Sequence, residues 1–199
     1  IRLSLVGSEM CIRDSVTILL PVGRFYGVAR DFVLRPIRLF SIFVPMKNIV
    51  FDLGGVLFAR DKSKCTPELL EFFSFLRAPR MPLFWEEYDR GTSTLEEVTA
   101  TISGMTGRPV ETCAAVLRLA VDLQEPVKPT ERLVGDLKAA GYRLYVLSNM
   151  SREFIDFLRR FPVYGLFDGE VVSCEEHTVK PEPRIYEILL ERYGLTPSE

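Results

Sequence analysis

The sequence predicts an α/β fold, a Rossmann-like parallel sheet with a small helical lobe inserted after the first strand. Segments typical of strands alternate with segments typical of helices from residue 47 onward, which is the pattern of a parallel sheet with crossover helices. The first strand segment contains the consecutive apolar run 49–51, Ile-Val-Phe, which is typical of a strand covered on both faces. Right-handed crossovers then place the carboxyl ends of the strands at one edge of the sheet.

Three segments are predicted as strands of this sheet. The first covers residues 47–53 and is predicted to be fully buried. The second covers residues 143–147, with the sequence Arg-Leu-Tyr-Val-Leu, and a shorter third covers residues 169–172. We therefore expect a small sheet whose strands are far apart in the sequence.

The helices of the α/β layer have recognisable ends. A helix over residues 130–140 is followed by Gly141, and Ser151 is positioned to cap the next helix. The last helix is predicted over residues 183–193, with a proline at its first position and Gly194 after it.

Helical patterns between the first two strands predict the inserted lobe. Thr66 precedes a proline, which is typical of a helix N-terminus, and an aromatic-rich stretch at 81–88 predicts a short second helix. Ser93 has a glutamate three residues later, the spacing of a capping box, and Pro109 opens a further helix. The predicted division is a helical cap over 62–126 and an α/β core over 46–61 and 127–199.

Asp52 is the strongest candidate for a reactive residue. It follows the first strand directly and enters a turn that contains Gly54 and Gly55. The strand fixes the carboxylate, and glycines allow a phosphate to approach the backbone closely. Alone, an aspartate in this position is most often a turn former or a helix cap.

Two further groups of polar residues strengthen the case for a site. Ser148 and Asn149 follow the second strand, and Lys180 precedes the last helix. In parallel α/β sheets the ligand lies at the carboxyl ends of the strands, so Asp52, Ser148 and Asn149 are expected to share one edge. Each group alone has an ordinary structural explanation, and only the ordered set points to chemistry.

This ordered set resembles the haloacid dehalogenase-like hydrolase superfamily, in particular its phosphatases with a small helical cap that are similar to glucose-1-phosphatase. The resemblance covers residues 46–199. It implies a nucleophilic aspartate, Mg²⁺ as the cofactor and a small phosphorylated substrate. The implied roles are catalysis by Asp52 and Lys180, phosphate binding by Ser148, Asn149 and Gly55, and Mg²⁺ binding by Asp52 and the Gly54 carbonyl oxygen.

The function implied is hydrolysis of small, sugar-phosphate-like metabolites through an aspartyl-phosphate intermediate. Two alternatives stay open at this point. A dehalogenase-type hydrolase would keep Asp52 as the nucleophile but attack carbon. A non-catalytic protein would keep the fold and bind phosphorylated metabolites without turning them over.

The sequence departs from the family pattern in two places. Gly54 stands where the family has a second aspartate that transfers protons. The sequence printed ends at Glu199, before the strand and the acidic pair that complete the family's metal site. We therefore expect a fragment without its C-terminal strands, with an exposed first strand and weak or no activity.

Composition adds expectations about the cell compartment and the partners. The net charge of −2 gives no electrostatic reason to expect binding to nucleic acid or membranes. The four cysteines are scattered without a C-x-x-C pair, which is typical of reduced thiols in the cytoplasm. Residues 1–45 carry six Arg and no Lys, and their opening resembles translated adapter sequence, so we expect a non-native or disordered extension. Oligomeric state stays open.

Overall fold

The computed structural model describes residues 47–196, so the prediction for residues 1–45 lies outside the described part. In chain order, the strands are β1 Asn48–Phe51, β2 Phe58–Arg60, β3 Gln124–Pro126, β4 Arg143–Ser148 and β5 Gly169–Val172. The α-helices are α1 Pro67–Phe72, α2 Leu83–Arg90, α3 Leu95–Thr106, α4 Val110–Asp122, α5 Lys128–Ala139, α6 Arg152–Leu158, α7 Ser173–Glu176 and α8 Pro183–Tyr193.

A parallel three-stranded sheet in the order β1-β4-β5 organises the core. Residues of β4 alternate between two apolar clusters, because successive side chains of a strand point to opposite faces. Leu144 and Val146 pack with residues of α5 and α6 on one face, and Tyr145 and Leu147 pack with residues of α8 on the other. The predicted α/β fold with a parallel sheet is confirmed.

The full burial of the first strand that its apolar run predicts is wrong. Phe51 is buried, but Val50 retains 44% of its surface exposed. Within residues 47–196, β1 pairs with β4 alone, so its other side is an edge of the sheet. A strand with one neighbour cannot be covered as completely as a central strand of a parallel sheet.

Four α-helices, α1 to α4, form the lobe between β2 and β3. Their apolar faces meet in a separate cluster of buried side chains: Leu69, Phe72, Phe73, Trp85, Tyr88, Val98, Ile102, Cys113, Leu117, Ala120 and Leu123. Trp85 packs edge-on against Phe73, with ring centroids 5.9 Å apart. The lobe therefore has an apolar core of its own, against which Phe154 of α6 also packs.

The two chain segments that enter and leave the lobe pair with each other. Strands β2 and β3 form an antiparallel ladder in which Phe58 is opposite Pro126 and Arg60 is opposite Gln124. The sequence analysis did not predict this pairing, because each segment is only three residues long and carries no alternating pattern. The ladder is one of the places where the lobe joins the core.

The helix ends partly follow the predicted signals. Thr66 caps α1 by accepting a hydrogen bond from the Leu69 N–H, and α8 covers the predicted range, as does β5. The capping box of α3 is formed by Thr94 and Glu97, one residue beyond the predicted pair, since two consecutive glutamates allow either spacing. Ser151 precedes α6, but its side chain makes no capping hydrogen bond.

The lobe contacts the core closely at the C-terminal end of α2. Gly91 adopts a φ of 74°, and a Cβ placed there would lie 2.3 Å from the Cys174 carbonyl oxygen. No side chain can occupy that space, so only glycine allows α2 to approach α7 at this distance. In the described range, no helix has the length and apolar character needed to cross a membrane.

Replacing Gly91 is expected to separate the lobe from the core. Gly107 is the matched control because it also has a left-handed φ, of 68°, but no atom lies within 4 Å of its missing Cβ. Gly107→Ala should cost about 1–2 kcal/mol through backbone strain alone, and Gly91→Ala should cost about 1–3 kcal/mol beyond that through the clash. Urea unfolding of both variants measures the difference, and equal losses would contradict the close contact.

Candidate active site

Asp52 follows the last residue of β1, and its carboxylate is held from two sides. Its Oδ1 accepts hydrogen bonds from the Leu53 N–H at 2.7 Å and from the Ser148 hydroxyl at 2.8 Å. Ser148 is the last residue of β4 and is fully buried. Because β1 and β4 are parallel neighbours, their ends bring these two side chains together. The Asp52 side chain nevertheless keeps 36% of its surface exposed, so a ligand can reach it.

Lys180 reaches the same carboxylate from a different loop. Its Nζ lies 2.9 Å from Asp52 Oδ2 and donates to the Leu147 carbonyl oxygen at 3.0 Å. The ammonium therefore neutralises the carboxylate at the carboxyl edge of the sheet. Three residues predicted from separate parts of the sequence converge on one point.

Asn149 connects the loop after β4 to the backbone of Lys180. Its Oδ1 accepts from the Lys180 N–H at 2.7 Å, and its Nδ2 donates to the Lys180 carbonyl oxygen at 3.0 Å. Both polar atoms of the amide are thus engaged with the lysine loop. This geometry favours a role in ordering that loop, and direct contact of Asn149 with a phosphate stays a prediction.

The glycine turn after Asp52 is tightly folded. The Gly55 N–H donates to the Phe58 carbonyl oxygen at 2.8 Å, and Gly55 has a φ of 74°, which favours glycine. No atom lies within 4 Å of the missing Gly55 Cβ, which leaves space beside the turn. At Gly54 a Cβ would meet the Met150 methyl at 3.7 Å, an ordinary contact, so this position has room for a side chain.

The oxygen atoms near Asp52 are of the type that binds Mg²⁺, but there are few of them. Mg²⁺ prefers oxygen ligands and is often held by one or two carboxylates plus substrate phosphates and waters. Asp52 and the Gly54 carbonyl oxygen are donors of this kind at the carboxyl edge. Among residues 47–196, no group of three or more His, Cys, Asp or Glu side chains could hold a metal ion. A cation here would rely on substrate and water for its other ligands.

Sequence reasoning missed several residues around this centre because they belong to distant segments. Tyr186 on α8 is one of them: burial raises the pKa of its phenol, and the negative charge of Asp52 raises it further. Ser173, at the end of β5, accepts from the Met150 N–H at 2.9 Å and donates to the Asp89 carbonyl oxygen. Ser173 thus joins the loop after β4 to the lobe. No local motif marks either residue.

Asp89 carries an unusual carboxyl at the junction between lobe and core. The residue as a whole keeps some exposed surface, but burial of its carboxyl raises the pKa to about 7, with a further rise from the Glu86 charge. The Ser151 N–H, which favours the charged form, offsets part of this shift. The sequence analysis assigned no chemistry to this carboxyl.

A cleft of about 680 Å³ lies where the lobe meets the core. Thr94 and Glu96 line it from the lobe, and Arg152, Glu153 and Glu175 line it from the core. Asp52, Ser148 and Lys180 do not line this cleft. Asp52 stays the candidate site, because the convergent polar groups lie there and the cleft offers only mixed surface charges.

Comparisons with known proteins agree with this geometry. A family model described as haloacid dehalogenase-like hydrolase matches residues 46–199. The sesquiterpene phosphatase astK of Aspergillus oryzae is 26% identical over 154 residues, 77% of this chain and 77% of that protein. The glyceraldehyde 3-phosphate phosphatase of Methanothermobacter thermautotrophicus is 38% identical over 76 residues, 38% of this chain and 34% of that protein.

A solved structure shows the same fold. The HAD family enzyme bt-2542 of Bacteroides thetaiotaomicron, in complex with magnesium and inorganic phosphate, superposes with a TM-score of 0.59 at 24% identity. The match covers 78% of this chain and 82% of that chain. At this identity the likeness supports the fold and leaves the activity to other observations.

The raised pKa of Asp89 predicts a pH dependence of stability. The unfolded carboxyl titrates near 3.8 and the folded one near 7, so between these values only the folded state keeps the proton. The contribution of Asp89 to the free energy of unfolding therefore falls as pH rises from about 4 to about 7, and it stays low above pH 7. Asp89→Asn removes this titration. Its free energy of unfolding, relative to that of the wild type, should therefore increase by up to about 4 kcal/mol between about pH 4 and about pH 8.

Urea unfolding of the wild type and of Asp89→Asn at both pH values measures this effect. Glu96→Gln, which removes a negative charge from an exposed position of α3, is the control and should show no such trend. If the free energy of unfolding of Asp89→Asn differs from that of the wild type by the same amount at both pH values, as expected for Glu96→Gln, the Asp89 carboxyl is not desolvated.

Proposed function

The chain belongs to the haloacid dehalogenase-like hydrolases, and on this premise we propose that it is a Mg²⁺-dependent phosphatase of small phosphorylated metabolites. One observation carries the proposal. The Asp52 carboxylate, the Ser148 hydroxyl and the Lys180 ammonium converge within hydrogen-bonding distance at the carboxyl edge of a parallel sheet. A nucleophile, a neutral donor and a cation in one place suit the transfer of a phosphoryl group.

The proposed reaction has two steps. A carboxylate oxygen of Asp52 attacks phosphorus, the bond from phosphorus to the substrate oxygen breaks, and an aspartyl-phosphate forms. Water then attacks the phosphorus and gives up a proton to solvent, the bond from phosphorus to the Asp52 oxygen breaks, and inorganic phosphate is released. The departing substrate oxygen takes its proton from solvent, because Gly54 has no side chain to supply one. Lys180 offsets the negative charge of carboxylate and phosphoryl group, while Ser148 turns its hydroxyl from Asp52 to a phosphate oxygen.

Asp52 and the Gly54 carbonyl oxygen would hold Mg²⁺, which neutralises phosphoryl charge when bound. The complex of bt-2542 with magnesium and inorganic phosphate supports this choice of cation. Because no group of three or more His, Cys, Asp or Glu side chains among residues 47–196 could hold a metal ion, we expect weak Mg²⁺ binding and slow turnover by this chain. The space beside Gly55 is the proposed place for the phosphate.

The substrate class rests on the relatives. One is named a sesquiterpene phosphatase and another a glyceraldehyde 3-phosphate phosphatase, so both names describe small phosphorylated compounds. This supports a small metabolite and leaves open whether it is sugar-like. The cytoplasmic location remains our proposal, and the free thiols of Cys65, Cys113 and Cys174 support it.

The phosphatase proposal predicts turnover that depends on Asp52. With p-nitrophenyl phosphate and Mg²⁺, the chain should release p-nitrophenol, and Asp52→Asn should lower the rate by about 1,000-fold or more because it removes the nucleophile. Mass spectrometry of acid-quenched protein should detect one added phosphoryl group on wild type and none on the variant. Chelation of Mg²⁺ should also stop release.

Three other outcomes would contradict this function. Release that survives Asp52→Asn would exclude Asp52 as the nucleophile. Turnover of a haloacid but not of a phosphate would favour attack on carbon. Binding of beryllium fluoride with Mg²⁺, without turnover of any phosphate tested, would favour a non-catalytic protein that binds phosphorylated metabolites.

The missing side chain at Gly54 predicts a preference among leaving groups. Without a proton donor there, leaving groups of low pKa, such as aryl oxygens, should react best. The Cβ of Gly54→Asp would make only an ordinary contact, with the Met150 methyl. This variant should raise turnover of an alkyl phosphate about tenfold or more, with a smaller gain on p-nitrophenyl phosphate. The ratio of kcat/KM for the two substrates measures this, and Gly54→Asn is the control of equal size. Equal gains on both substrates would contradict the idea.

A further inference from the structure

The position of Lys180 depends on a short loop that precedes α8. Its backbone is held on one side by the two hydrogen bonds to Asn149. On the other side, Glu182 organises the loop: its Oε2 accepts from the Thr178 hydroxyl at 2.6 Å and from the Val179 N–H at 3.2 Å. The Glu182 N–H in turn donates to the Val179 carbonyl oxygen at 2.8 Å. Lys180 lies between the residues that Glu182 connects.

The lobe binds this same carboxylate. Arg90, the last residue of α2, donates Nη1 to Glu182 Oε2 at 2.9 Å and Nη2 to Glu182 Oε1 at 2.7 Å. This two-bond contact matches the planar guanidinium to the carboxylate and fixes their relative orientation. Four hydrogen bonds therefore reach the Glu182 carboxylate. The pKa of Glu182 is lowered to about 2, and the hydrogen bonds from Arg90 are the largest cause.

A second contact joins the same two segments. Arg90 Nη1 lies 3.4 Å from the His177 carbonyl oxygen, and His177 Nδ1 lies 3.2 Å from the Arg90 carbonyl oxygen. His177 has a φ of 54°, so the chain turns sharply here, directly before Thr178. The C-terminal end of α2 therefore contacts both ends of the loop, at His177 and at Glu182.

We propose that Arg90 and Glu182 are positioning residues that couple the docking of the lobe to the placement of Lys180 beside Asp52. The inference rests on the proposed function, in which Lys180 acts on the phosphoryl group. An isolated ion pair on a protein surface contributes little. This pair differs because its carboxylate also holds the Thr178 hydroxyl and the Val179 N–H, so losing Arg90 frees a loop that carries a catalytic residue.

The test compares Arg90→Gln with Arg184→Gln. Arg184 is the matched control, since it also pairs with glutamates, Glu187 and Glu191, but only within α8. Arg90→Gln should lower kcat/KM for p-nitrophenyl phosphate about tenfold or more, because small displacements of catalytic groups are costly. Arg184→Gln should stay within about twofold of the wild type. Arg90→Lys, which keeps the charge but not the two-bond contact, should fall between them.

Two further measurements separate positioning from general loss of structure. In a Lys180→Met background, Arg90→Gln should have no additional effect on kcat, because its effect acts through Lys180. Hydrogen exchange of the Val179 and Lys180 amides should accelerate in Arg90→Gln, while the amides of α8 keep the wild-type rate.

Each outcome decides between the alternatives. Unchanged exchange at Val179 and Lys180 would show that Arg90 does not hold the loop. Faster exchange with kcat/KM equal to that of Arg184→Gln would show that the loop does not position the lysine. If the wild type lacks turnover that depends on Asp52, the phosphatase function fails, and the exchange experiment still tests the contact between lobe and loop.

Discussion

The parallel pairing of β1 with β4 is the constraint on which the site depends. The register places Phe51 opposite Val146, so the residues that follow each strand emerge at the same edge. Asp52 and Ser148 are far apart in the sequence, and nothing local holds them together. The apolar clusters on the two faces fix this register, because a shift by one residue would exchange the faces of Val146 and Tyr145.

The site at this edge is assembled from three loops that hydrogen-bond to one another. Asn149 joins the loop after β4 to the lysine loop through both of its amide atoms. Ser173 joins the same loop to the end of α2. The lobe is therefore part of the framework that holds the loops of the candidate site.

Sequence reasoning succeeded where a local pattern decides the structure. The ends of β5 and α8, and the placement of Asp52 and Ser148 at strand ends, follow from apolar runs, prolines and glycines that act within a few residues. The cap of α3 was misplaced by one residue because Thr94 and Ser93 satisfy the same spacing rule. In the structure Thr94 has the extended backbone of the N-cap.

What the sequence could not indicate depends on distant partners. The apolar run at 49–51 taken alone overestimated the burial of β1, because such a run does not reveal how many neighbours a strand has. Glu182 looks like an ordinary acid beside prolines, and only the fold brings Arg90 to it. The raised pKa of Asp89 likewise arises from burial at a junction between segments that have no common motif.

The ladder between β2 and β3 restricts how the lobe can swing. If the two segments that connect the lobe to the core were not paired, each could rotate freely, and the lobe could twist as well as tilt relative to the core. In this protein the two segments are the paired strands β2 and β3, with Ala59 opposite Glu125, so they must move together. Twisting would break the ladder, whereas bending across it would not. A displacement of the lobe that preserves this ladder would therefore have to bend the chain across β2 and β3, and it would have to separate the end of α2 from Cys174.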